Sequence, residues 1–387
     1  NSISQGKHIF QKEEVLLCVH EQESETFRKE KEKIIMEKLP ILAITAGDPA
    51  GSGPEITAKI FADKYVFEMC RPLVIGDPCV MQQALKFCNL EDKVKIHAVN
   101  DVSEALFEEG TMDVYDMGII HDAKEVGIGT INKTAGEAAF QYVVKAIELA
   151  MNDEVDGTIT NAISKEAINM AGHHYSGHTE IYADYTKTKK YCMMLAHEDF
   201  RVTHVSTHVS LREACDRCKK ERVLEVIELA NQACKDLGIE TPKVAVAGLN
   251  PHCGEHGMFG TEEIEEITPA IEAAKEKGID AIGPCAPDTV FSQAIGGWYD
   301  IVVCMYHDQG HIPTKVQGFV YNRELKQWNA VAGVNITLGL PIIRVSVDHG
   351  TAFDHAGKGD ANELSLVNAI EYGAKMSAGR CRKKGEK

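Results

Sequence analysis

Three histidines, His208, His252 and His307, each stand two to five residues beyond a separate short apolar run, at 201–206, 244–247 and 301–305 respectively. Neutral imidazoles gathered from separate strand ends are the donor set a divalent ion takes, and three protein ligands leave positions open for substrate or water. Any one of them alone reads as a hydrogen-bonded loop histidine; the convergence of all three reads as metal ligation. His256 and His311 lie close by in sequence, and His311 could replace His307, although His307 is nearer its strand end. Zinc, cobalt, manganese and, with water ligands, magnesium all suit such a site.

Other polar residues are placed in similar ways. His178-Thr179-Glu180 precedes the amphipathic segment 181–185, so His178 and Thr179 are expected near a helix N-terminus, where free N–H groups favour an anion or a hydroxyl. A simple cap by Ser176 or Thr179 is compatible with that. Lys315 and Arg344 are isolated cations among apolar neighbours. Arg344 lies inside the run 342–347, where an unpaired charge is costly, so it should meet an internal carboxylate or a substrate phosphate or carboxylate. The Gly/Pro-rich turn 45–55 holds Gly47 and Asp48, and its glycines let the backbone approach a ligand. It fits neither GxGxxG nor a P-loop, and taken alone it reads as a tight structural turn. Cys215-x-x-Cys218 has no second pair to complete a zinc site and reads as incidental helix spacing.

The elements that must position these groups are legible as alternation. Apolar runs rich in β-branched residues, at 41–45, 73–75, 157–160, 201–206, 244–247, 301–305 and 342–347, alternate with amphipathic stretches such as 135–151 and 222–237. This is the pattern of βαβ units, a mostly parallel sheet and covering helices, with some strand-sized runs pairing antiparallel at an interface. Six runs stop at functional clusters: Gly47, Asp48 and Gly51; Asn161, Ser164 and Lys165; Thr207 and His208; Asn250 and His252; His307, Asp308 and Gln309; Asp348 and His349. Ligands bind at the carboxyl ends of strands in open α/β sheets, so a shared cleft is expected.

The chain has 387 residues and a net charge of −17, a length that suggests two domains and a charge that disfavours nucleic acid as a partner. No apolar run approaches the ~18 residues of a membrane span, and residues 15–19 are too short for a signal-peptide core. Twelve cysteines in such a chain read as reduced thiols, and the expected location is the cytoplasm. Residues 1–36, dense in Glu and Lys, read as a helical or disordered extension ahead of a natural start near Met36.

The strings Gly-Asp-Pro-Ala-Gly (47–51), Gly-His-Thr-Glu (177–180), Gly-Leu-Asn-Pro-His (248–252), Tyr-His-Asp-Gln-Gly (306–310), Val-Asn-Ile-Thr-Leu-Gly-Leu-Pro (334–341) and Ser-Val-Asp-His-Gly-Thr-Ala (346–352) resemble the 4-hydroxythreonine-4-phosphate dehydrogenase (PdxA) family, in order, over roughly residues 40–372. More distantly, 348–362 is similar to the adenine-binding segment of isocitrate and isopropylmalate dehydrogenases. The resemblance implies an α/β fold of two α/β/α domains with a central cleft. The cofactor side is expected at 37–160 plus 340–387, and the metal, substrate and dimerisation side at 161–339. It implies His208, His252 and His307 as metal ligands, and His178, Thr179, Lys315, Asn335 and Arg344 as substrate-binding residues. NAD is expected at Gly47, Asp48, His349, Gly350, Thr351 and Asn362. It also implies a homodimer in which one metal ligand, His307, comes from the partner subunit.

Ala46, the segment Asn161-Ala-Ile-Ser-Lys165 and an extra segment between Gly318 and Val334 look more like the branch acting on D-threonate or D-erythronate 4-phosphate. The expected reaction is NAD-linked, metal-dependent oxidation and decarboxylation of such a phosphorylated small molecule to dihydroxyacetone phosphate and CO2. Lys315 is the candidate for proton transfer or carboxylate binding, and Asp308 and Asp288 would orient histidines. Alternatives are 4-hydroxy-L-threonine 4-phosphate as substrate, a metal-dependent hydrolase or lyase without NAD, and a non-enzymatic phosphate-ester binding protein.

Overall fold

The computed structural model describes residues 39–324 and 327–385; the expected extension at 1–36 lies outside the described residues. Fourteen strands are formed: β1 (Ile41–Thr45), β2 (Arg71–Gly76), β3 (Lys95–Val99), β4 (Thr111–Asp116), β5 (Gly157–Thr160), β6 (Cys192–His197), β7 (Phe200–His204), β8 (Lys243–Ala247), β9 (Asp280–Cys285), β10 (Ile301–Cys304), β11 (Phe319–Asn322), β12 (Gln327–Val331), β13 (Val334–Leu338) and β14 (Arg344–Val347). The α-helices are α1 (Gly53–Ile60), α2 (Tyr65–Met69), α3 (Pro78–Phe87), α4 (Lys133–Met151), α5 (Lys165–Met170), α6 (His178–Tyr185), α7 (Leu211–Arg217), α8 (Lys220–Asp236), α9 (Thr268–Glu276), α10 (Val290–Ile295), α11 (His307–Gly318) and α12 (Leu364–Gly385).

Each of the seven apolar runs is a strand, within a residue or two at its ends. They read as continuous apolar runs because both faces of the sheet are covered: Leu42, Ala43, Ile44 and Thr45 are all fully buried. The stretches with three- and four-residue periodicity are α4 and α8. In α8 that period buries Val223, Val226, Ile227, Ala230 and Ala233. Asn132 starts α4 by accepting the Ala135 N–H at 2.9 Å. All eleven described cysteines are free thiols. No described helix is long and apolar enough to cross a membrane.

Twelve strands form one sheet in the order β3-β4-β2-β1-β5-β14-β13-β6-β7-β10-β8-β9, and β11 and β12 form a separate antiparallel hairpin within the extra segment between Gly318 and Val334. The first six strands of that order come from residues 41–160 and 344–347, the last six from 192–338. The sheet runs without a break across this line. Pairing is parallel on either side, but β14–β13, β13–β6 and β6–β7 are antiparallel. Three reversals mean that β7, β10 and β8 run opposite to β1, β5 and β14. The functional clusters therefore leave the sheet at two opposite edges, not at the single shared edge that alternation alone suggests. Whatever joins them must lie over the antiparallel centre.

Candidate active site

A cavity of about 880 Å³ does lie over that centre. Its wall takes Thr160 to Ile163 from the end of β5, Asp348 to Gly350 from the end of β14, Ser206 to Val209 from the end of β7, and Met193, Asn335, Arg344 and Ser346 from the central strands. Of the residues singled out in the sequence, His178, Thr179, His208, Asn335, Arg344, His349 and Gly350 line it. Gly47, Asp48, His252, His307, Asp308, Lys315, Thr351 and Asn362 are not in its wall.

Histidines gather at one end. His208 stands 5.7 Å from His307, His307 stacks on His311 at 3.6 Å, and His204 lies 4.8 Å from His311, all between ring centroids. His307, His311 and Lys315 repeat every four residues along α11, which puts them on one face. His204 was not among the residues singled out; the i, i+4 spacing from His307 to His311 was the available signal for an imidazole cluster. Gly310 makes room for His204, since a Cβ there would fall 2.4 Å from its Nε2. Burial, reinforced by His311, lowers the His204 pKa to about 3, and burial with the neighbouring His307 lowers His311 to about 4. His208 is lowered by burial and by Lys165. His204, His208 and His311 are therefore neutral at pH 7. Asp308 Oδ1 is hydrogen-bonded to Nδ1 of His307 at 2.7 Å, which orients the ring.

The donor set suits a divalent ion. Two imidazoles sharing an ion at metal–nitrogen distances of about 2.0–2.1 Å have ring centroids roughly 5–6 Å apart, as His208 and His307 do. His252 is held elsewhere, in a turn at Pro251–Gly257 whose residues from His252 to His256 all have positive φ (50°, 56°, 78°, 44° and 57°). It is exposed, with Glu255 3.5 Å away. Among the described residues no group of three or more His, Cys, Asp or Glu is arranged to hold a metal. Within one chain, His307 already stands beside His208, and His252 is the histidine set apart.

At the other end of the cavity Arg344 is 3% exposed. Its guanidinium donates to Thr337 Oγ1 at 3.1 Å and Thr160 Oγ1 at 3.0 Å, its Nε has no hydrogen-bond partner, and it lies 5.7 Å from the centroid of the Tyr182 ring. Burial pulls its pKa down to about 10 against the opposing pull of Tyr182 and Glu180. Of the two partners expected for it, no carboxylate among the described residues bonds it. His178 opens α6, with a buried Nε2 that lacks a partner; burial and Arg344 hold it well below its usual range, hence neutral. Asn335 Oδ1 is likewise buried and unpartnered. A buried cation with an unmet donor, beside further unmet polar atoms, has the chemistry that an oxyanion would complete.

Lys315 reaches the site through Asp348: its ammonium pairs with Asp348 Oδ2 and lies 4.2 Å from the centroid of Phe319. Beyond His349, the chain folds back on α1. Thr351 O accepts from Ser52 N at 2.9 Å. The buried Glu55 carboxylate takes the Gly357 and Gly359 N–H groups at 2.5 and 2.7 Å. Asn362 Oδ1 accepts from Leu364 N at 2.8 Å, at the start of α12. Gly47 is required by packing: φ is +78°, and a Cβ would fall 2.7 Å from Ala162 O. Asp48 is buried, accepting from Ala50 N at 2.9 Å, and burial pushes its pKa up to about 6 against the backbone N–H groups that lower it.

Residues 68–373 match the model of the family described as pyridoxal phosphate biosynthetic protein PdxA. A D-threonate 4-phosphate dehydrogenase of Cupriavidus necator is 43% identical over 343 residues, 88% of this chain and 98% of the relative. Crystal structures of 4-hydroxythreonine-4-phosphate dehydrogenases are similar throughout. That from Burkholderia phymatum has a TM-score of 0.76 and 42% identity over 87% of this chain and 98% of its own. That from Klebsiella pneumoniae has a TM-score of 0.77 and 39% identity over 88% and 98%. On sequence, fold and site together, this chain belongs to the PdxA family of dehydrogenases and is an oxidoreductase with the isocitrate dehydrogenase-like α/β fold.

Proposed function

We propose that the chain is a divalent-metal- and NAD-dependent dehydrogenase that oxidises and decarboxylates D-threonate or D-erythronate 4-phosphate to dihydroxyacetone phosphate and CO2. The observation that carries this is Arg344, a buried guanidinium facing the cavity with an unmet donor and no bonded carboxylate. A dianionic phosphate would complete it, with His178 and Thr179 at the start of α6 sharing the load. The name of the Cupriavidus necator relative supports the four-carbon sugar-acid phosphate.

His208, His307 and His252 would hold the ion, the set being completed by a histidine of a second copy. The NAD would be held by the segment from His349 to Asn362 that Glu55 pins to α1, with the turn at Gly47 and Asp48 beneath. When bound, the ion supplies Lewis-acid polarisation of substrate oxygens and the nicotinamide supplies a hydride acceptor. Asp308 keeps the His307 ring oriented. Lys315 Nζ, paired with Asp348, would bind the substrate carboxylate and hand a proton to the carbon that loses CO2. The two halves of the sheet, 37–160 with 340–387 and 161–339, would serve as lobes on either side of the cavity.

A second reading, 4-hydroxy-L-threonine 4-phosphate as substrate, is favoured by the names of the two crystal structures. The two substrates carry the same phosphate and differ at C2, hydroxyl against ammonium. NAD reduction measured with each, with and without a divalent ion, separates the readings. Turnover of D-threonate or D-erythronate 4-phosphate that disappears with chelator is the expected result; turnover of neither class of substrate overturns the proposal.

A further inference from the structure

We propose that Glu263 is a positioning residue for His252, holding the turn that presents this imidazole to the metal; the inference rests on the reading of His252 as a ligand. Five successive residues in the left-handed region, four of them not glycine, are a conformation that L-residues avoid, so something outside the turn must impose it. Glu263 is the group placed to do so. It is 2% exposed and opens the π-helical turn Glu263–Ile267. Its Oε1 accepts from Leu249 N and Asn250 N, both at 2.7 Å, and its Oε2 from Asn250 Nδ2 at 3.0 Å. Those donors are the residues that lead from β8 into the turn. A Cβ at Gly254, in the middle of the turn, would fall 2.9 Å from the same Oε2, so the turn is wrapped against the carboxylate.

A buried carboxylate bonded by neutral N–H groups is costly unless its geometry serves something. A second tie holds the same segment. Gln309 accepts from Met305 N at 2.7 Å and donates to Gly248 O at 2.8 Å, joining the start of the His252 loop to the strand end that carries His307. Glu263 and Gln309 together fix the segment that leads from β8 into the His252 turn.

The test measures cobalt(II) affinity of the full-length protein by competition with a chromogenic chelator, for wild type, Glu263→Gln, His252→Ala and the double variant. Circular dichroism reports folding, and Glu263→Asp serves if Glu263→Gln does not fold. The expected result is a loss of tenfold or more for Glu263→Gln, a larger loss for His252→Ala, and no further loss when Glu263→Gln is added to His252→Ala. Affinity lost in His252→Ala but kept in folded Glu263→Gln or Glu263→Asp overturns the positioning role. So do losses that simply add in the double variant. Unchanged affinity in His252→Ala overturns the ligand reading, and this inference with it.

Discussion

Arg344 and Asp48 are charges that the fold buries without a matching countercharge, and each invites a direct measurement. Replacing Arg344 by Met keeps the volume and removes the buried charge, a change that is often neutral or stabilising by about 1 kcal/mol or more. The thermal midpoint should therefore hold or rise. KM for the phosphorylated substrate should rise roughly ten- to a hundredfold, the worth of one hydrogen bond to a charged group. Steady-state kinetics beside a melting curve checks both, and an unchanged KM removes Arg344 from the oxyanion subsite. Asp48 has a folded pKa near 6, above its ordinary value of 3.8. The folded state then binds the proton more tightly than the unfolded state, so stability is greatest below about pH 4 on this account and is lost as pH rises through 6. Asp48→Asn should stabilise the protein by ~1–3 kcal/mol at pH 8, a pKa unit being about 1.4 kcal/mol, and by nothing at pH 4. Urea melts at the two pH values decide it.

Among the elements, the segment from His349 to Asn362 has no regular strand or helix of its own and is shaped by what it is tied to. Glu55 on α1 is the principal tie, its carboxylate spent on Gly357 N and Gly359 N. Two charge-assisted bonds are worth about 1.5–3 kcal/mol each, so Glu55→Ala should cost about 3–6 kcal/mol of stability. Beyond that, a loosened segment should raise KM for NAD by severalfold more than KM for the sugar-acid phosphate. Equal effects on the two constants would mean that the segment does not hold the cofactor. The strands expected from the sequence were those buried on both faces. β6, with the sequence Cys-Met-Met-Leu-Ala-His, was not among them, because Met, Leu and Ala suit helices equally well and only its neighbours make it a strand; β13, Val-Asn-Ile-Thr-Leu, was not among them either, its apolar run being broken by Asn335 and Thr337. Yet these two strands carry the reversal that turns the second half of the sheet around.

At the scale of the whole molecule, a chain of net charge −17 places a group of its cations around the cavity. Lys165, Lys189, Arg217, Lys219, Arg222 and Arg344 all stand in its wall, so anions meet a local field opposite to that of the surface at large. The separation of His252 from His208 and His307 makes a further prediction about assembly. If His208 and His252 of one metal site belong to different copies, mixing the inactive His208→Ala and His252→Ala variants after reversible dissociation should restore activity. Half of the random dimers would be mixed, with one intact site in two, giving about a quarter of wild-type activity. No restoration would mean that His208 and His252 of one site come from the same copy.

The sequence by itself determined seven of the strands, two of the three long helices, the family, and the strand-end clusters, because buried strands and their functional termini leave local marks: β-branched runs, then glycine, histidine and carboxylate. What it could not determine is direction and partnership. Alternation of strands and helices led to some antiparallel pairing being expected, but carries no sign of which three pairs at the centre it would be. Arg344, His178 and Asn335 therefore converge with His208 only through the tertiary fold. The same holds for Glu55, Glu263 and Gln309, whose partners lie far away in the chain or in another loop. Their side chains look like ordinary surface polar residues until burial removes water and leaves backbone N–H groups and carbonyls as their only hydrogen-bonding partners.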